Sequence, residues 1–326
     1  MIFRVALAAL VLLIAGGPSV ATALPTKPVK IGILTLAWAP WHSNTEGFRD
    51  GLKDLGYVEG KNVTYDGRAA AGNPARLPGL AAELVRQSPD LLFCVAGPEA
   101  LACQKATDTI PIVFTQTSDP VKLGLVRGLA KPGGNITGIS SLRAELTAKR
   151  LELFRQVVPL LRRVLITYDP RESEELDALA SARSAANRLD GLELIERPIT
   201  DPLDIEPGLA AMRPGGRDGV LIVQPGPNLN IGGRSLEVAT SNKLPTMYPS
   251  SFWSKVGALV SYGPDQYLQG RQAARLADRI LSGTRPADLP VELPDRIEFI
   301  VNLRTARMLA LEIPRPVLVR VDRLIE

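Results

Sequence analysis

Residues 29–56 read VKIGILTLAWAPWHSNTEGFRDGLKDLG, and this stretch decides the fold class. The apolar run at 29–34 has the length of a buried strand. A turn-rich segment holding Pro40 follows it. Ser43 and Glu46 then stand at the S-x-x-E spacing with which hydroxyl and carboxylate satisfy the free donors of a helix start. Phe48, Leu52 and Leu55 recur on one face of that predicted helix, and Gly56 stands where a left-handed C-terminal cap requires the absence of a side chain. Strand, loop and amphipathic helix in this order make a βα unit, whose repetition gives parallel sheets covered by helices.

The unit repeats. Strand candidates lie at 29–34, 62–65, 90–95, 111–114 and 136–139, and a second set lies at 163–168, 192–195, 219–223, 245–248 and 258–261. Five and five at similar spacing predict two lobes of one α/β architecture. Leu77, Leu80, Ala81, Leu84 and Val85 form one further helical stripe, and Leu176, Leu179 and Ala180 another; both read as core faces. The acidic group Glu172, Glu174, Glu175 and Asp177 falls in the first turns of a predicted helix, where the helix dipole favours carboxylates, so it reads as helix support rather than as a metal site.

The chain has 326 residues, 45% hydrophobic and 22% charged, enough for two lobes of ~150 residues each. Its pI near 9.1 is shallow: net charge is +4, and 38 Lys and Arg are dispersed among 34 Asp and Glu without a basic tract. A nucleic-acid partner is therefore not expected.

Residues 1–23 read MIFRVALAALVLLIAGGPSVATA, with Arg4 as the single charged side chain and a small-x-small ending at Ala21-Thr22-Ala23. The apolar core is too short to span a bilayer, so a cleavable secretory signal is expected. No Cys marks a lipidation site and no paired arginines precede the apolar core. These absences favour the general secretory route, a freely diffusing product and the periplasm. Cys94 and Cys103, the two cysteines, either pair in that oxidising compartment or fill core within one βα unit.

In an open α/β sheet a ligand binds beyond the carboxyl ends of the strands, where loops and helix starts converge. That rule selects Trp38 and Trp41 after the first strand, Gly97 after the third, and Thr115, Gln116, Thr117, Ser118 and Asp119 after the fourth. From the second lobe it selects Tyr168, Gln224, Tyr248 and Tyr262. Asp119 before Pro120 suits a helix N-cap, and Ser118 with the free amides beside it either holds a ligand carboxylate or only caps and turns. Trp38, Trp41 and Trp253 either close the mouth of a cleft or pack on their own lobes.

Catalysis finds little support. His42 is the one histidine, and the chain offers no G-x-S-x-G, P-loop or G-x-G-x-x-G after the first strand. No metal site, cofactor or catalytic residue is expected, and Cys94 and Cys103 are not the facing pair of a racemase-like enzyme.

Several stretches resemble the substrate-binding proteins of ABC transporters, in the periplasmic-binding-protein type I class and the group with tryptophan-binding members. They are FRDGLKDLGYVEGKNV from Phe48, ARLPGLAAELVRQSPDLL from Ala75, SDPVKLGLVRGLAKPGGNITGIS from Ser118, KRLELFRQVVP from Lys149, YGPD from Tyr262, and RILSGTRPADLPVELPDRIEFIVNLRTARMLALEIP from Arg279. The resemblance implies two Rossmann-like lobes joined by a hinge of three crossing segments, near Ser140, near Ser261 to Gly263 and near Pro290. Lobe 1 would hold 24–140 and 263–290, and lobe 2 would hold 141–262 and 291–326. It also implies a monomer that captures a small ligand between the lobes and delivers it to an inner-membrane ABC permease with its cytoplasmic ATPase. The ligand is expected to be an amino acid or related small carboxylate, aromatic ones included, with added weight on Ser118, Tyr168 and Tyr262. The alternatives are a same-fold sensor module for a membrane receptor and a two-lobed enzyme such as a glycosyltransferase.

Overall fold

In the computed structural model, which describes residues 27–201, 204–223 and 229–326, the alternation becomes two sheets. Strands β1 (Val29–Thr35), β2 (Val63–Ala69), β3 (Leu91–Cys94), β4 (Ile112–Thr117) and β5 (Ile136–Ser140) pair wholly in parallel in the order β2-β1-β3-β4-β5. The second sheet holds β6 (Arg163–Tyr168), β7 (Glu193–Pro198), β8 (Asp218–Ile222), β9 (Thr246–Tyr248), β10 (Val260–Pro264), β11 (Ile297–Asn302) and β12 (Arg323–Ile325), in the order β12-β11-β10-β9-β8-β6-β7. It is parallel except where β11 runs antiparallel to β10. The expected signal at 1–23 lies outside the described residues.

The helices among the described residues are α1 (Ser43–Asp54), α2 (Leu77–Arg86), α3 (Gly97–Ala106), α4 (Arg143–Val157), α5 (Ser173–Ala186), α6 (Ile205–Ala210), α7 (Leu229–Ser241), α8 (Ser251–Lys255), α9 (Gln266–Leu281), α10 (Leu303–Met308) and α11 (Arg315–Leu318). Strand alternation decides which of them cover which face. Ile31, Ile33, Phe93 and Val113 pack under α1 and α9, and Leu34, Leu92, Cys94, Ile112 and Phe114 pack under α2 and α3. In the second sheet Val164, Ile166, Leu221 and Met247 meet α4 and α5, whereas Leu165, Val220 and Ile222 meet α6, α7 and α8. None of these four apolar clusters spans both sheets.

Some local expectations shift. The N-cap of α1 is His42, one residue before Ser43, because Thr45 Oγ1 accepts the His42 amide at 2.8 Å. Phe48 and Leu52 are buried as expected while Leu55 is exposed, and on α5 the buried stripe is Ala178, Leu179, Ala182 and Ala185 rather than Leu176 and Ala180. Pro120 opens a single turn instead of a helix; Asp119 still caps it, Oδ1 accepting the amides of Val121 at 3.1 Å and Lys122 at 2.9 Å.

The chain crosses between the sheets after β5, between β10 and α9, and between residue 292 and β11. Gly263 therefore lies inside β10, not at the start of a return to the first lobe. The third crossing leaves from a segment tied to β5, where the Glu292 amide donates to Gly138 O at 2.9 Å and the Ser140 amide donates to Glu292 O at 2.8 Å.

Candidate functional site

In each sheet the strand order reverses beside its first strand: β1 lies between β2 and β3, and β6 lies between β7 and β8. Loops leaving two such neighbours diverge, and the crevice between them is where open α/β sheets bind ligands. On the first sheet, Leu36 after β1 and the first turn of α3 after β3 are joined at the crevice, because Glu99 Oε1 accepts the Leu36 amide at 2.7 Å. On the second sheet, Tyr168 ends β6 and Asp169 follows it, and Glu175 Oε2 accepts the Asp169 amide at 2.6 Å.

The two crevices face each other, and Glu174 bridges them. From the first turn of α5 its Oε1 accepts the Ser118 amide at 2.8 Å, and its Oε2 pairs with Arg143 Nη1 at 2.8 Å. Arg143 and Glu174 are both buried, at 7% and 8% exposure, which makes this an ion pair shielded from solvent. Ser118 is fully engaged: its Oγ accepts the Arg143 amide at 3.2 Å and its carbonyl accepts the Ser140 hydroxyl at 3.0 Å. A methyl group on Gly97 would lie 3.8 Å from Glu174 Oε1, so the uncapped start of α3 also borders this carboxylate. Further out, Lys122 Nζ meets Asp177 at 2.5 Å.

Not every buried polar atom of the seam is satisfied. Glu99 Oε2, Arg143 Nε and Ser141 Oγ are buried without a hydrogen-bond partner. Burial pushes the Glu99 carboxyl up to about 7, against the Leu36 amide that favours its charge; the carboxylates of Glu172 and Glu174 add to the rise. Burial likewise raises Glu175 to about 7, whereas the hydrogen bonds from Arg171 hold Asp169 below its ordinary range. Two non-glycine residues beside the seam, Gln116 (φ 54°) and Leu142 (φ 52°), adopt the left-handed region, where strain collects at functional sites and hinges.

The sequence of the ABC transporter substrate binding protein family matches residues 30–325. The chain belongs to this family. It is 30% identical over 289 residues to a tyrosine-binding protein of Clostridioides difficile, covering 88% of this chain and 82% of that one. A conserved domain protein from Vibrio cholerae superposes with a TM-score of 0.83 at 30% identity, over 91% of this chain and 100% of the other. An ABC domain from Streptococcus pneumoniae in complex with L-Trp superposes with a TM-score of 0.81 at 23% identity, over 92% and 100%, and so shares the fold. The fold is the two-lobed α/β architecture of type I periplasmic binding proteins. Members of the family are solute-binding proteins and not enzymes. Such substrate-binding proteins are typically extracytoplasmic, and no helix among the described residues is long and apolar enough to cross a membrane.

Within this substrate-binding protein the residues selected from sequence divide into three groups. Ser118 and Gly97 stand at the seam beside Glu174, and Gln116 is close by, its Oε1 accepting from Gln266 Nε2 at 3.4 Å. Tyr168 ends β6, whereas Tyr262 lies in the middle of β10 and not beyond its end; both are half-buried against the α4–α5 cluster, and the Tyr262 ring meets Phe299 edge-on at 6.2 Å. Five residues turn elsewhere. Thr115 is buried, its hydroxyl directed at Asn44 Oδ1 at 3.1 Å, and Asp119 is exposed on its turn. Tyr248 is core, with its hydroxyl donated to Gly232 O at 2.8 Å and its ring against Trp253. Trp38 is 57% exposed, and Trp41 lies under the Arg49 guanidinium of its own lobe. Gln224 lies outside the described residues. The loop after β9 borders a different cavity of about 270 Å³ shared with Ser43, Asp265 and Tyr267.

Glu99, Arg143 and Glu174 were not among the selected residues. Glu174 sat in the acidic group assigned to the helix dipole; its neighbour Glu175 does support the helix entry, but Glu174 leaves it to reach the other lobe.

Proposed function

We propose that this protein captures an amino acid, or a related small carboxylate with an aromatic body, between its two lobes and delivers it to an ABC importer from the periplasm. The observation that carries this reading is the carboxylate already seated on Ser118 N–H and Arg143: the pair forms a preorganised anion receptor at the crevice, and Glu174 stands in for the ligand's carboxylate. Tyr168 at the end of β6 and Tyr262 within β10 are half-buried rings of the second lobe. The tyrosine-binding and L-Trp-bound relatives support an aromatic amino acid, and the export features of residues 1–23 support the compartment. Ligand bridging both lobes would hold the closed form and present it to the permease.

Calorimetric titration with L-tyrosine, L-tryptophan and L-phenylalanine tests the reading. Saturable binding of one of them is expected, weakened about ten-fold or more by Arg143→Gln because a buried charge pair is removed. Absence of binding across all the amino acids would end it.

A further inference from the structure

Glu99 is the anomaly of the seam. Its side chain is 2% exposed, and while Oε1 is met by the Leu36 amide, Oε2 is buried with no partner. Buried carboxylate oxygens are rarely left unmet, because nothing replaces the water they lose. The charged groups across the crevice that raise it, Glu172 and Glu174, carry its own sign. Arg143, a buried cation at this seam, is turned to Glu174. An acceptor is thus held rigidly among like charges, in surroundings that favour a positive group.

Position adds the second half of the argument. Glu99 lies in the first turn of α3, whose opening residue Gly97 borders the carboxylate held by Ser118. An α-amino acid bears ammonium and carboxylate on one carbon, so receptors for the two must be neighbours. A Cβ on Gly97, two residues before Glu99, would lie 3.8 Å from the carboxylate seated on Ser118 and Arg143, which puts Glu99 on the α3 side of the crevice that holds this seat. We propose that Glu99 Oε2 receives the protonated amine of the ligand, so that this protein selects molecules carrying an ammonium group next to their carboxylate. The proposal rests on the reading that the Ser118–Arg143 seat takes a ligand carboxylate. The rival is a neutral carboxyl whose only task is to anchor the Leu36 amide.

The test pairs each aromatic amino acid with its deaminated analogue, for example L-tyrosine with 3-(4-hydroxyphenyl)propanoate, which keeps ring and carboxylate. Both are titrated calorimetrically at pH 8 into the wild-type protein and Glu99→Gln, with thermal unfolding showing that the variant is folded. Glutamine keeps the oxygen that meets Leu36 and replaces the acceptor with a donor. The wild type is expected to prefer the amino acid by at least about ten-fold, since a site built to hydrogen-bond a group rejects the analogue lacking it. Glu99→Gln is expected to abolish that preference while still binding the analogue. Equal preference in both proteins overturns the role of Glu99 and leaves the carboxylate seat standing. Failure of the wild type to bind any amino acid or analogue overturns both. Should Glu99→Gln fail to fold, Glu99→Asp, which keeps the charge but shortens its reach, is expected to lose most of the preference; if it retains all of it, the proposal falls.

Discussion

Glu174 and Glu175 are consecutive residues in the first turn of α5, yet they act in different lobes: Glu175 holds the Asp169 amide behind it, and Glu174 crosses to Ser118. A carboxylate in a first turn looks the same in sequence whether it complements the dipole or bridges a cleft, because only the approach of the other lobe distinguishes them. Glu99 was hidden for a related reason, since its partner Leu36 is 63 residues away in the chain. Ser118 and Gly97 were legible, because the strand-end rule depends on chain order alone. The rule also selected Tyr248, which then spent its hydroxyl in the core. The buried carboxyl has a measurable signature. Glu99 is raised from 4.5 to about 7, so the folded state binds more protons than the unfolded chain across that window, and its contribution to stability falls as pH rises from 4.5 to 7 and is level above. His42, lowered by burial from 6.5 to about 4, acts with the opposite sign, adding stability as pH rises from 4 to 6.5. Glu175 repeats the sign of Glu99. Chemical denaturation at pH 5 and pH 8 is expected to show that Glu99→Gln removes a fall of about 1–3 kcal/mol present in the wild type. An unchanged pH dependence would mean that Glu99 titrates normally.

At the scale of elements, the strand pattern was read well because buried parallel strands are short apolar runs whose limits are set by the backbone itself; β6 occupies 163–168 as expected. Strands β11 and β12 went unread, since IEFIVN becomes a strand by pairing antiparallel with β10, a partner that local pattern does not reveal. The contact of α1 with α9 was also unread. The apolar stripe of α1 announced a core face, but the closest approach is made by glycines: a Cβ on Gly47 would lie 2.0 Å from Tyr267 O, and one on Gly270 2.0 Å from Asn44 O. The helices touch backbone to backbone there, which lets Asn44 Nδ2 donate to Gln266 O at 3.0 Å and Tyr57 donate to Asp278 at 3.0 Å. Since α9 is the element that returns from the second sheet, this contact anchors the crossing. Gly47→Ala or Gly270→Ala should cost about 1–3 kcal/mol or more by forcing the helices apart. Gly79→Ala on α2, where a Cβ meets nothing within 4 Å, should instead be neutral or stabilise by about 0.5–1 kcal/mol. Thermal unfolding of the three variants checks the contrast; equal midpoints would refute the tight seam.

For the whole molecule, the division of labour between apolar and polar contacts determines what can move. Each of the four apolar clusters stays within one sheet and its helices, so burial stabilises the lobes separately. Contacts between the lobes at the crevice are polar: Ser118 with Glu174, and Lys122 with Asp177, the latter exposed and therefore weak. Contact between the lobes here thus leans on Glu174, and on the proposed reading a ligand carboxylate would have to displace that side chain to reach Ser118 and Arg143. An internal competitor lowers apparent affinity by the fraction of molecules it occupies. Removing its charge should have two coupled effects. Glu174→Gln leaves Arg143 without its counter-charge in the closed form, so the ligand-free protein should open, which small-angle scattering would register as a larger radius of gyration. The same variant should bind the proposed amino-acid ligand more tightly, by about five-fold or more, because the seat no longer has to be cleared. Ligand addition should then return the scattering profile to the compact form. If Glu174→Gln binds more weakly instead, Glu174 touches the ligand directly, and the carboxylate across the crevice is a contact of the complex rather than a substitute for its cargo.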